Sequence, residues 1–337
     1  MTEDGAEPTI VRAPNHLGDL VLALPALAAA GADVMVLRSL TPILEMAGVR
    51  GDVLPLDRGP AGFVAAVRAL RRKGCRRGVL MSAAFSAAWL FRWGGVGRLR
   101  GTRTDGRGWL LTERIEPEAL RGRHRVEGFA LLAGLDDGRP LPPPRVTPPA
   151  DRVDRWRASL PKGALVGLFP GANAPARRWP VERFAEVAHV LVSQGVHVVA
   201  LGGRSERALT ARVGESEGAA LDLGGRTDLV DLAAILSVCD LVITNDTGPM
   251  HLAGAVGTAT VSLWGSSDPC EVRQTGAGDT PVTGADLPCK PCYRNECHRR
   301  GPGTLLPDAH EECMRLIETQ DVMNATLTAL AKADAGE

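Results

Sequence analysis

Short β-branched apolar runs alternate with leucine- and alanine-rich stretches of helical length along most of the chain. In the first half this pattern predicts strands at 9–13, 34–37, 52–56 and 78–82. Between and after them it predicts helices at 18–30, 42–47, a basic one at 62–72, and one at 124–135. Residues 94–114 are rich in glycine and arginine, follow neither period, and are expected to be acceptor-facing loops. Segment 138–150 carries six prolines and reads as a linker. Beyond it the alternation restarts, with strands at 165–169, 196–201, 241–244 and 260–264. Helices are predicted at 181–194, 205–213, 229–238, 248–255 and 321–331, the last of them free to pack back on the first domain.

This order predicts an α/β protein with two Rossmann-like domains, 1–150 and 151–337, facing a central cleft. Right-handed crossovers would bring the carboxyl ends of both sets of strands to that cleft. A chain of 337 residues is long enough for two cores.

Composition narrows the partners. Lysine plus arginine number 39, as do aspartate plus glutamate, so no global field favours nucleic acid. Residues 1–8 are acidic and polar, unlike a secretory leader, and no apolar run approaches the roughly 20 residues of a membrane span. The expectation is a cytoplasmic protein whose oligomeric state the sequence leaves open. The run Arg68, Arg71, Arg72, Lys73, Arg76 and Arg77 reads either as a solvated helix face or as a peripheral membrane contact.

Three segments carry candidate chemistry. Residues 12–19, RAPNHLGD, follow a strand and open a helix; Asn15, His16 and Gly18 shape the turn. Asp19 is either a carboxylate that complements the helix dipole or a base that takes a proton from an acceptor hydroxyl. Residues 169–180, FPGANAPARRWP, place Arg177 and Arg178 at another strand end, where a guanidinium fork suits phosphate. Residues 241–253, LVITNDTGPMHLA, run from a strand into a helix. There Asp246, Thr247, Gly248, Pro249, Met250 and His251 gather at a helix start, which favours a diphosphate. Asp231 reads either as a ribose ligand or as a helix-surface charge.

Seven cysteines are present, and Cys289, Cys292, Cys297 and Cys313 cluster with His310 near the C-terminus. A CxxC pair with two later cysteines admits a structural zinc site, free thiols in a loop, or a redox-labile pair.

At these residues the chain resembles the ADP-heptose:lipopolysaccharide heptosyltransferases, glycosyltransferase family 9, and most closely their type II branch. The resemblance rests on RAPNHLGD with Pro25, PGANAPARRWP, and TNDTGPMHLAGAVGTATVSLWG with Ser266, Ser267, Asp268 and Pro269. It implies a GT-B fold and an inverting, metal-independent transfer of heptose from ADP-L-glycero-D-manno-heptose to a lipid A–core acceptor. It places the base at Asp19 and the phosphate turn at Asp246, Thr247, Gly248 and His251, with Arg177 standing where lysine is common and His16 where tryptophan is. The same two-domain architecture also serves a nucleotide-sugar epimerase or hydrolase, or a non-catalytic ADP-binding module.

Overall fold

The computed structural model describes residues 8–215, 220–297 and 312–335. The chain divides into two compact units, 1–144 and 145–337. Each is built from parallel strands joined by helices, the arrangement that hydrophobic runs of alternating period demand.

The first unit runs β1 (Thr9–Arg12), α1 (Leu17–Ala30), β2 (Asp33–Leu37), α2 (Thr41–Met46), β3 (Val53–Leu56), α3 (Gly59–Lys73), β4 (Arg77–Leu80), α4 (Phe85–Trp93), β5 (Arg98–Thr102), β6 (Glu113–Ile115) and α5 (Arg125–Ala133). Its sheet has the order β3-β2-β1-β4-β5-β6, every pairing parallel. Ile10, Leu80, Phe91 and Leu99 meet in its core, with Leu70 of α3 packed on them.

Residues 94–114 do not form the loops expected of them; β5 and β6 lie there. Leu99 and Gly101 point into the core, while Arg100 satisfies the carbonyls of Leu131 and Leu132 and pairs with Glu113 at 3.1 Å. Arginines flank the buried positions, and that hid the strand. Helix α4, which no predicted element covers, carries four aromatic residues: Phe85, Trp89 and Trp93 follow one another at four-residue spacing, and Phe91 is buried in the core.

The second unit runs α6 (Ala150–Ser159), β7 (Leu165–Phe169), α7 (Val181–Ser193), β8 (His197–Ala200), α8 (Arg207–Gly214), β9 (Leu221–Asp222), α9 (Leu229–Leu236), β10 (Leu241–Asn245), α10 (Gly248–Val256), β11 (Ala259–Trp264), α11 (Pro269–Val272), β12 (Asp279–Thr283), α12 (Glu312–Arg315) and α13 (Thr319–Ala335). Its sheet order is β12-β11-β10-β7-β8-β9, again parallel throughout. Strands β7 and β10 are buried along their whole length, as central strands covered on both faces must be. Helix α13 packs against β10, β11, β12 and α7 of its own unit.

Both sheets share one topology. The strand order reverses between β1 and β4 in the first and between β7 and β10 in the second. In open α/β sheets a crevice forms at such a reversal, beyond the carboxyl ends of the two strands.

Candidate active site

In the second unit the crevice between β7 and β10 is walled by the loop 170–180 and by the start of α10. Asn245, the last residue of β10, holds these walls together. Its Nδ2 donates to the carbonyls of Pro170 and Gly171 at 3.0 and 3.2 Å, and its Oδ1 accepts from the Trp179 amide at 3.0 Å. A Cβ on Gly171 would stand 2.0 Å from Glu206 Oε1. A larger residue there would have to displace that carboxylate, whose Oε2 accepts from the Gly203 amide at 2.7 Å.

Asp246 follows Asn245 and is buried. Arg177 Nη1 lies 3.2 Å from its Oδ2, and Ser267 donates its hydroxyl to the same oxygen. The aspartate thus fixes the guanidinium, whose side chain stays 30% exposed beside the crevice. Thr247 is the N-cap of α10 and Pro249 lies in its first turn. Thr247, Gly248 and Pro249 are half-buried, so the turn is open to a ligand, while Met250 and His251 are buried beneath it. Pro249 has no N–H and the Met250 amide donates to the Thr247 carbonyl at 3.1 Å, so it is the Gly248 amide, at the first helical position, that has no intrahelical acceptor; the dipole makes the spot positive. Arg178 lies alongside, with Nε held by the Ala172 carbonyl at 2.8 Å.

Asp231 belongs to a different place. Its Oδ1 accepts from Arg152 at 2.7 Å, Arg155 at 2.5 Å and Trp156 Nε1 at 3.0 Å, all on α6. Read as a ribose ligand, it is instead the polar anchor by which α9 holds α6. Burial pushes its carboxyl up, but the Trp156 and arginine hydrogen bonds outweigh this and leave it below the usual range.

The cysteine-rich segment braces the crevice. The amides of Cys292 and Tyr293 donate to the Ser266 carbonyl at 2.9 and 2.8 Å, and the Asn295 carbonyl accepts the Ala176 amide at 3.0 Å. Cys289, Cys292, Cys297 and Cys313 form no disulfide among the described residues. Among the described residues no three His, Cys, Asp or Glu side chains are placed to hold a metal ion; His310 lies outside those residues. Burial pushes the Cys313 thiol up to about 11.

In the first unit the crevice between β1 and β4 opens into a cavity of about 830 Å³. Arg12, Asn15, His16, Asp57, Arg58, Ser82 and Ser86 supply its polar wall, and Trp89 part of its apolar wall. Asn15 bridges the crevice, accepting from Arg12 Nη2 at 2.5 Å and donating to Ser82 Oγ at 3.5 Å. Arg12 is buried and bonds main-chain carbonyls rather than a carboxylate. Burial pushes its guanidinium down to about 10, which still leaves a cation at neutral pH. Arg107, fully buried, ties the far wall by donating to the carbonyls of Ser82, Ala84 and Thr102.

Helix α1 begins at Leu17, directly after the cavity-lining Asn15 and His16, and Gly18 and Asp19 lie in its first turn. Asp19 is half-buried and Arg125 Nη1 stands 3.8 Å from its carboxylate. Arg107 escaped the sequence reading, and Asn245 and Ser267 stood in its motifs without a role. Polar residues at the end of a fully apolar strand were the available signal for Asn245.

Residues 63–301 match the model of glycosyltransferase family 9 (heptosyltransferase). The chain belongs to this family. The glycosyltransferase is 27% identical over 261 residues to lipopolysaccharide heptosyltransferase 2 of Salmonella typhimurium, covering 70% of this chain and 74% of that one. Its fold is similar to that of ADP-heptose lps heptosyltransferase II of E. coli. The TM-score is 0.79 at 22% identity, with 97% of this chain and 99% of that one covered. An E. coli heptosyltransferase solved with ADP aligns at a TM-score of 0.65 and 19% identity, covering 81% and 93%. The family 9 enzyme therefore has the GT-B fold. Among its described residues no helix is long and apolar enough to cross a membrane.

Proposed function

We propose that this heptosyltransferase moves heptose from ADP-L-glycero-D-manno-heptose to a sugar of the lipopolysaccharide inner core, as the type II enzymes it resembles do. The observation that carries the reading is the β7/β10 crevice. An open helix start there faces a guanidinium that a buried aspartate holds in place. Such a site suits a diphosphate without a divalent ion.

In this reading the second unit holds the donor, with the diphosphate on the first turn of α10 and beside Arg177. The acceptor sits in the first unit. Its hydroxyl oxygen attacks the anomeric carbon, Asp19 takes the proton, and the bond from that carbon to the β-phosphate oxygen breaks. The attack comes from the face opposite the leaving group, so configuration inverts. Charge that develops on ADP is met by the Gly248 amide at the positive end of α10, the Thr247 hydroxyl and Arg177.

The test incubates purified protein with ADP-heptose and core acceptors truncated at successive sugars, and weighs the products. One acceptor should gain a single heptose. Donor consumed at the same rate without acceptor would replace this reading with hydrolysis or epimerisation.

A further inference from the structure

Aromatic residues are scarce in this chain, with six tryptophans, six phenylalanines and one tyrosine in 337 residues. Five of them nonetheless touch on one face of the first unit. Phe63 of α3 meets Trp93 with ring centres 6.3 Å apart, Trp93 meets Trp89 at 5.7 Å, and Trp89 meets Phe85 at 5.9 Å, all three of these last residues on α4. Trp109 closes the group, 6.1 Å from Trp89 and 6.4 Å from Phe85. Phe63, Phe85 and Trp89 are partly buried against the core, whereas the outer rings are open. Trp93 is 52% exposed, Trp109 65%, and the neighbouring Val64 47%. Exposed apolar side chains scattered singly need no explanation, whereas a contiguous group of them marks a surface that binds something.

Charge says what. From Arg58 to Thr104 the chain has eleven arginines and lysines and not one aspartate or glutamate, although the whole molecule is neutral. On α3, Val64, Arg68, Arg71 and Arg72 recur at helical spacing, so the basic stripe continues the apolar edge. All four are exposed. Arg71 Nε donates to the Trp93 carbonyl at 2.9 Å, which joins the stripe to the aromatic cluster. No ion pair holds Arg58, Arg68, Arg71 or Arg72 among the described residues. Indole rings favour the boundary between headgroups and acyl chains, and arginines favour anionic headgroups.

We propose that the face made by α3, α4 and Trp109 docks on an anionic phospholipid surface. Trp93, Trp109 and Val64 enter the interface, and Arg68, Arg71 and Arg72 meet headgroup phosphates. Phe63, Val64 and Trp89 also line the cavity of the first unit. Docking would therefore hold that cavity against the layer in which an amphiphilic acceptor resides. This purpose rests on the acceptor reading above; the docking itself does not, since it needs neither donor nor transfer.

The test sediments the full chain with vesicles of phosphatidylcholine, alone or with phosphatidylglycerol at about one lipid in three. Association should be at least about tenfold stronger on the anionic vesicles and fall with salt. Changing Trp93→Ala and Trp109→Ala together should weaken it about tenfold, and Arg68→Glu with Arg72→Glu should abolish it. Trp109→Ala alone, at a site 65% exposed, serves if the double variant fails to fold. Lipids brominated on their acyl chains should quench the wild-type indole fluorescence. Equal binding to both vesicle types, no binding to either, or full binding by the tryptophan variants would overturn the proposal. In each of those cases the transfer assay with a soluble acceptor still stands on its own.

Discussion

Asp246 is a buried carboxylate, and a buried charge persists only where other groups meet it. Arg177 and Ser267 do so, which leaves the guanidinium anchored on one side and accessible on the other. Arg177→Lys should keep the charge yet lose the planar fork. ADP affinity is then expected to fall about three- to tenfold, read by calorimetry, with folding little changed. Asp19 differs, because its partner Arg125 is 3.8 Å away and both side chains are substantially exposed. Asp19→Asn should cost little stability but slow transfer by about 10²- to 10⁴-fold with ADP binding intact. A variant that transfers at the wild-type rate would remove Asp19 from the role of base. At this scale the sequence exposed the groups that sit beside turn residues, such as Asp19, Arg177 and Thr247. Asp231 misled because the partners that claim it, Arg152, Arg155 and Trp156, are 75 to 79 positions away.

Helix α6 buries none of its residues fully, so it shows no apolar stripe, and the linker reading ran up to its first residue. What secures it is the Asp231 cluster on α9. Asp231→Asn should destabilise the protein by about 1–3 kcal/mol near neutral pH, measured by urea unfolding. The folded carboxyl titrates below its ordinary value of 3.8. Its stabilisation is therefore complete above that value and disappears as pH drops through the lower folded one, so variant and wild type should converge in strong acid. A gap that stays constant with pH would assign the effect to packing. Helix α10 is placed by close approach instead. A Cβ on Gly254 would stand 2.1 Å from Gln274 Oε1, and Gln274 is buried with bonds to Thr260, Gly276 and Ala277. Gly254→Ala is expected to cost about 1–3 kcal/mol through overpacking. Because α10 carries the phosphate turn, ADP affinity should fall with it. Unchanged melting and unchanged ADP binding would show that Gln274 moves aside freely.

Across the molecule the two units repeat one strand order, and each offers its own crevice. With the Gly248 amide at the positive end of α10 and Arg177 doing the work of a cation on the diphosphate, transfer should proceed unchanged in excess EDTA. A rate lost to the chelator and restored by a divalent ion would replace that account.

The chain alone determined the alternation of strands and helices, the two-domain plan and the turns at 15–19 and 246–248. These depend on local period, on glycine and proline, and on the polarity of neighbouring residues, all of which a linear reading contains. Only the tertiary structure decided that Asp231 anchors α6, that Asn245 clasps the loop after β7, that arginine-flanked β5 is a strand, and that α13 lies on its own sheet. Each of those outcomes is a contact between distant positions, where the energy of satisfying a buried polar group or covering an apolar one overrides local preference.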